Sequence, residues 1–222
     1  MHWLAIDTSM NGCGVGVARA DGAEFIKTEH MMRGQSERLM PMLTDIVAQA
    51  GLSLPDIDAF VVTCGPGTFT GLRIGLSVAR ALAQVSGKPL VGIETFDGLY
   101  ESAREQVAGK PACVLVETKR SDYYMRIFDA NGMAEGAGTC VSAEDLRALL
   151  TPDHVLIGDA NARAMAETGF SGATIDIVSP DPSAMIACAK RADLTQNRSV
   201  TPVYLRSADV SVSRQKIARI VQ

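Results

Sequence analysis

The succession of strand and helix patterns predicts an α/β protein of two lobes, each built on a mixed sheet. Three features of the chain lead there. It opens with three consecutive strand patterns joined by hairpin signals, strands and helices alternate after them, and a fresh strand pair follows a break at Gly109-Lys110-Pro111. A chain of 222 residues has room for one large domain or two small ones.

Residues 2–9, 13–20 and 23–30 read as strands. Asn11-Gly12 and Asp21-Gly22 between them tolerate the positive φ that tight hairpins demand, so an antiparallel meander results. Residues 36–50 form an amphipathic helix with Ser36 in N-cap position, Pro41 straining its second turn and Gly51 closing it. A β-branched strand over 59–64 runs into Gly65-Pro66-Gly67, and a helix follows over 70–86 until Gly87-Lys88-Pro89 stops it. A buried strand over 90–95 and a helix over 96–107 complete the first lobe. Beyond the break come strands over 113–118 and 123–128, then a helix capped by Ser142 with Asp145 three residues later. Strands over 154–157 and 174–178 flank a helix over 162–167, and a last helix starts after Pro182. The predicted organisation is a first lobe over 1–108, a smaller second lobe over 109–206, and a loosely ordered polar tail over 207–222 that carries Arg214, Lys216 and Arg219.

Composition excludes several classes. With 47% hydrophobic and 21% charged residues, the chain can bury a core and is not disordered. A net charge of −4 supplies no overall attraction to nucleic-acid phosphates. The N-terminus lacks a basic leader, and no window holds the ~20 apolar residues of a membrane span, so the expected location is the cytoplasm, with no membrane partner. Cys13, Cys64, Cys113, Cys140 and Cys188 are scattered singly and read as reduced, small apolar residues rather than disulfides or zinc ligands. His2, His30 and His154 lie too far apart for a histidine metal site, and no nucleophile stands at motif spacing from any of them.

The loop from Gly65 to Arg73 joins a strand to a helix, where backbone N–H groups can hold an anion. It does not match the phosphate-loop pattern and lacks that pattern's lysine. A nucleotide there would meet Gly65, Gly67, Thr68 and Arg73, with Asp7, Thr8 and Ser9 at the end of the first strand; a tight glycine turn is the plainer reading. Asp7 and Glu117 stand at equivalent strand ends of the two lobes, an arrangement that suits a magnesium nucleotide across a cleft, although Asp7 capping its own hairpin is the plainer reading. In the helix after the loop, Gly71, Gly75, Ala79 and Ala83 fall four apart and leave one side open to close approach by another backbone, of this chain or of a second one. In the helix before it, the arc from Leu39 to Ala50 spans roughly 160°, wider than the ~100° stripe of a helix that faces only its own core.

Several strings together resemble the TsaB (YeaZ) family. They are Leu4-Ala5-Ile6-Asp7-Thr8-Ser9, Gln35-Ser36-Glu37-Arg38-Leu39-Met40-Pro41, the run from Gly65 to Gly75, Lys119-Arg120-Ser121-Asp122-Tyr123-Tyr124, and Pro202-Val203-Tyr204-Leu205-Arg206. The resemblance covers nearly the whole chain in order and departs at Gln35, where a histidine often stands. It implies an actin-like (ASKHA) fold of two ribonuclease-H-like lobes with mixed sheets. It also implies a non-catalytic role in forming threonylcarbamoyladenosine beside the tRNA anticodon, as the partner of the catalytic subunit TsaD, with TsaE docking on the pair and tRNA touched only indirectly. No cofactor and no metal are expected, because Thr95 and Leu99 occupy the places where TsaD-like proteins carry an HxxxH metal pair. The implied partner face, shared with a homodimer, comprises Arg38, Leu39, Met42, Leu43 and Ile46 of one helix with Gly71, Leu72, Ile74, Gly75, Val78, Ala79 and Leu82 of the next. The competing expectation is an enzyme, an ATP-dependent small-molecule kinase or ATPase of the same superfamily; a metallopeptidase is a third and lacks ligands.

Overall fold

A computed structural model of the chain describes residues 1–192, 194 and 200–206; the predicted tail over 207–222 lies outside the described residues. The first sheet starts from β1 (Trp3–Asp7), β2 (Gly12–Ala18) and β3 (Glu24–His30), the predicted antiparallel meander. After α1 (Gln35–Gln49), β4 (Ala59–Gly65) joins β1 in parallel, and after α2 (Phe69–Ser86), β5 (Leu90–Glu94) joins β4 in parallel. The sheet order is β3-β2-β1-β4-β5, and α3 (Thr95–Val107) follows it.

The second half repeats the scheme. Here β6 (Ala112–Glu117), β7 (Asp122–Phe128) and β8 (Thr139–Ser142) form the meander. Then α4 (Ala143–Leu149), β9 (Val155–Gly158), α5 (Asn161–Thr168) and β10 (Thr174–Asp176) extend it by parallel pairing to the order β8-β7-β6-β9-β10, and α6 (Pro182–Ala189) follows. Each half is therefore βββαβαβα, the two-lobed mixed-sheet fold expected of an actin-like chain. Strand β8 went unpredicted because its residues Thr139-Cys140-Val141-Ser142 are short, mostly half-exposed or exposed, and preceded by the glycine-rich run 132–138.

Most local signals hold. Ser142 caps α4 and its hydroxyl accepts the Asp145 N–H, while the Asp145 carboxylate takes the Ser142 hydroxyl in return. Ser36 does not cap α1: Gly34, at φ 93°, is the N-cap, and Gln35 enters the first turn with its amide donating to Met31 O. A left-handed glycine reverses the chain two residues earlier than a cap at Ser36 would, leaving Ser36 exposed. Pro41 is accommodated inside α1 on its solvent side.

Packing crosses the sequence boundary. Sheet one is covered on one face by α1 and α2, where Leu4, Ile6, Val15 and Phe60 meet Leu39, Leu43, Ile46 and Leu72. Its other face, with Trp3, Ala5 and Val61, is covered by Met185, Ile186 and Ala189 of α6 from the second half. Reciprocally, Phe96, Leu99 and Ala103 of α3 from the first half cover Val114, Val116 and Ile157 of sheet two. The outer face of sheet two packs on α4 and α5 through Leu146 and Ala164. Strands β1 to β5 make one sheet and β6 to β10 the other, while α3 and α6 exchange sides and contact one another between the sheets.

Candidate functional site

At the end of β1 the chain closes on itself. Asp7, Thr8 and Ser9 are almost wholly buried. The Asp7 carboxylate accepts the Ser9 N–H at 3.1 Å, the Ser9 hydroxyl at 2.7 Å and the Thr63 hydroxyl at 2.6 Å, all on Oδ1. Its Oδ2 is buried without a hydrogen-bond partner among the described residues. Burial pushes this carboxyl above the usual carboxylate range, against the pull of the Ser9 and Thr63 hydrogen bonds. Asp7 is the cap of its own turn.

The glycine loop seals that turn. Thr68 caps α2, its hydroxyl accepting the Gly71 N–H, while its own N–H donates to Ser9 O at 2.7 Å. The Thr8 hydroxyl donates to Gly71 O at 2.7 Å. A Cβ at Gly67 would collide with the Ser9 carbonyl, and one at Gly71 with the Thr8 carbonyl. At Gly65, with φ 123°, Cys64 O accepts the Val203 N–H at 2.7 Å, and the Val203 carbonyl fills the space a side chain would take. The groups expected to cradle phosphate, Asp7, Thr8, Ser9, Gly65, Gly67 and Thr68, are therefore engaged with each other and with the terminal segment. The N–H groups of Ser9, Thr68 and Gly71 are spent on oxygens of this turn and are not aimed outward at an anion. Arg73 is the exception: it is exposed, its guanidinium lies 3.6 Å from the Phe69 ring centroid, and its Nε donates to the Tyr204 hydroxyl at 3.4 Å.

Glu117, the second-lobe counterpart, is held differently. Arg163 binds it with two donors, Nε to Oε2 at 2.9 Å and Nη2 to Oε1 at 3.0 Å, and Oε1 also accepts the Lys119 N–H. Asp7 through its Oδ1 and Glu117 through both oxygens are held by groups of their own lobe, and the two acids share no partner. Beside Glu117, Asp159 accepts the Glu117 N–H at 2.8 Å, yet burial raises its pKa to about 6.

The expected partner face divides into two sets. Leu39, Met42, Leu43, Ile46, Leu72 and Ala79 are at most 1% exposed and belong to the core over sheet one. Gly71 and Gly75 face the same way, and a Cβ at Gly75 would stand 2.7 Å from the Thr8 hydroxyl oxygen. These eight pack on their own sheet, where the wide arc of α1 and the small-residue strip of α2 serve close packing on β1 and β4. Ile74, Val78 and Leu82 are half-buried at the edge of that core, and Arg38 is exposed and paired with Glu29. Val85, 91% exposed, continues the Ile74, Val78 and Leu82 stripe at helical spacing and was missed by sequence reading. Its signal was there, since positions 74, 78, 82 and 85 recur at i, i+4, i+8 and i+11.

Residues 26–212 match the family model of TsaD, tRNA N6-adenosine threonylcarbamoyltransferase. The chain is 31% identical over 157 residues to the tRNA threonylcarbamoyladenosine biosynthesis protein TsaB of Escherichia coli, a match covering 70% of this chain and 64% of that protein. The chain belongs to the TsaD family, in its TsaB (YeaZ) group. An uncharacterized protein of Mycobacterium bovis, Mb3455c, is 30% identical over 209 residues, 93% of this chain and 92% of the relative. YeaZ from Pseudomonas aeruginosa superposes with a TM-score of 0.76 at 24% identity, covering 92% of this chain and 99% of that one, a likeness of fold. Within this family frame, Thr95 and Leu99 at the start of α3 are fully buried, and Leu99 packs against sheet two. Among the described residues no group of three His, Cys, Asp or Glu is placed to hold a metal, and no helix is long and apolar enough to cross a membrane.

Proposed function

We propose that the protein is a non-catalytic scaffold subunit in the formation of threonylcarbamoyladenosine on tRNA, docking a TsaD partner on the outward stripe of α2. The observation that carries this reading is the row Ile74, Val78, Leu82 and Val85, which ends in a valine 91% exposed. A contiguous apolar stripe of this kind on the outer side of a helix gains stability when another surface removes it from water. Arg38, exposed on α1, stays in the proposed face, while the buried members of the earlier set act beneath it by fixing how α1 and α2 lie. A second copy of the chain competes for the same stripe, TsaE docks on the assembled pair, and tRNA is met through the partner.

The sealed loop supports a non-enzymatic role over an ATPase or kinase, since the Ser9, Thr68 and Gly71 N–H groups are engaged internally and the Thr8 and Ser9 carbonyls close on the glycines. Thr95 and Leu99 support it over a metallopeptidase, because neither side chain replaces an imidazole as a ligand. The test replaces Val78 and Val85 by aspartate together and measures TsaD binding by calorimetry, with circular dichroism to establish the fold. A loss of at least tenfold in affinity is expected; unchanged affinity in a folded variant refutes the docking face. Reconstituted tRNA modification that proceeds equally without this chain refutes the scaffold role.

A further inference from the structure

A cavity of about 350 Å³ opens beside α3, where the ends of β5 and β7 and the last turn of α6 converge. None of its lining residues belongs to the sealed loop or to α2, although Glu94 pairs with Gly65 across β5 and β4. One wall is the ring of Tyr100, stacked on Phe128 with centroids 4.3 Å apart. Its volume falls at the lower end of small-molecule pockets.

The charges around it are unevenly paired. At one end the single guanidinium of Arg126 serves two carboxylates, reaching Glu94 at 3.2 Å and Asp97 at 3.2 Å through the same Nη1. At the other end the single carboxylate of Glu101 serves two guanidiniums, Arg104 at 2.8 Å and Arg191 at 3.0 Å. The first end is left one negative charge in excess and the second one positive charge in excess. Asp97 and Glu101 are one helical turn apart on α3, so the sign inverts over about 6 Å along the wall. Burial raises the pKa of both Glu94 and Asp97 against the pull of Arg126 on each and of Arg191 on Asp97, and repulsion from Asp97 adds to the shift at Glu94, so a cation at that end relieves an electrostatic cost.

We infer that this cavity is a binding site for a small zwitterion, an α-amino acid whose ammonium meets Glu94 and Asp97 and whose carboxylate meets Arg104 and Arg191. A free anion would satisfy only the arginine end and a free cation only the acidic end. A ligand carrying both charged groups on one carbon satisfies both, and Tyr100 lines the wall between the two ends. Gly132 keeps the rim open, since a Cβ there would stand 2.7 Å from the Tyr100 hydroxyl oxygen and 3.1 Å from Arg104 Nη1. The inference is independent of the docking role of α2.

Calorimetry on the full chain with glycine, L-alanine, L-serine and L-leucine, each separately, tests it. N-acetylglycine and glycine methyl ester serve as probes that keep one charge each. Saturable binding of at least one amino acid in the micromolar to millimolar range, with neither single-charge probe binding within tenfold of it, is expected. Asp97→Asn and Arg191→Gln should each weaken that binding at least tenfold while leaving the circular dichroism spectrum unchanged, and Arg104→Gln provides a further exposed variant if either misfolds. Absence of saturable binding by all four amino acids, equal binding by a single-charge probe, or full affinity in the folded variants overturns the assignment.

Discussion

The ends of β1 and β6 occupy equivalent places in two copies of one topology, and each carries an acid followed by a threonine. Asp7 is wholly buried, capped by Ser9 and Thr63 and lidded by a helix whose glycines touch its backbone. Glu117 is half-exposed and clamped by Arg163. The first end is closed by backbone packing and the second by a charge pair. The same strand-end position can therefore be satisfied by sterics or by electrostatics, and the two respond to different perturbations.

Gly71→Ala attacks the closed end most directly. Helix propensity alone favours alanine by about 1 kcal/mol, but the new Cβ meets the Thr8 carbonyl, a backbone atom that cannot swing aside. A net loss of about 3 kcal/mol in urea denaturation is expected, and a gain in stability would break the account of the seal. Arg163→Ala attacks the clamped end. It removes the pair with Glu117, hydrogen bonds to the Arg120 and Asp122 carbonyls, and a guanidinium 3.8 Å from the Tyr123 ring centroid. The expected loss is about 2 kcal/mol, reduced in high salt because the pair is partly solvated.

The third prediction uses pH to separate the ends. Asp159, beside Glu117, has its pKa raised from 3.8 to about 6 by burial, so the folded state holds its proton more tightly than the unfolded state does. Between those values the native protein binds more protons, and the stability of the natural protein falls as pH rises through about 6. Asp159→Asn removes that dependence. Relative to their difference at pH 4, the asparagine variant should gain on the order of 1–2 kcal/mol by pH 8, read from thermal melts across the range; parallel curves would show that Asp159 is not the titrating group. The smallest effect is expected of Thr63→Val, which deletes the 2.6 Å hydrogen bond to Asp7 and should cost about 1 kcal/mol, with no change in the pH dependence assigned to Asp159.

The strand meanders, the helix–strand alternation and the Ser142 cap of α4 were legible because each is a local event: turn pairs, residue periodicity and side chain to backbone hydrogen bonds act within a few residues. The candidate site was only partly legible. The glycine strip of α2 announces that something approaches closely, but sequence spacing alone does not say whether that is the Thr8 carbonyl or another protein. Burial decided it for Leu39, Met42, Leu43, Ile46, Leu72 and Ala79. The paired acids and arginines around α3 were invisible, since Glu94, Asp97, Glu101, Arg126 and Arg191 come from four separate elements or their ends.

The sequence by itself determined the two lobes, their mixed sheets and the family, because these follow from local pattern and from strings of residues in order. Tertiary structure alone decided which face of each helix is spent on the core, that α3 and α6 exchange lobes, and that the glycine loop is closed rather than open. Those outcomes depend on contacts between residues dozens of positions apart, and a periodic pattern fixes which side of a helix is apolar without fixing what covers it.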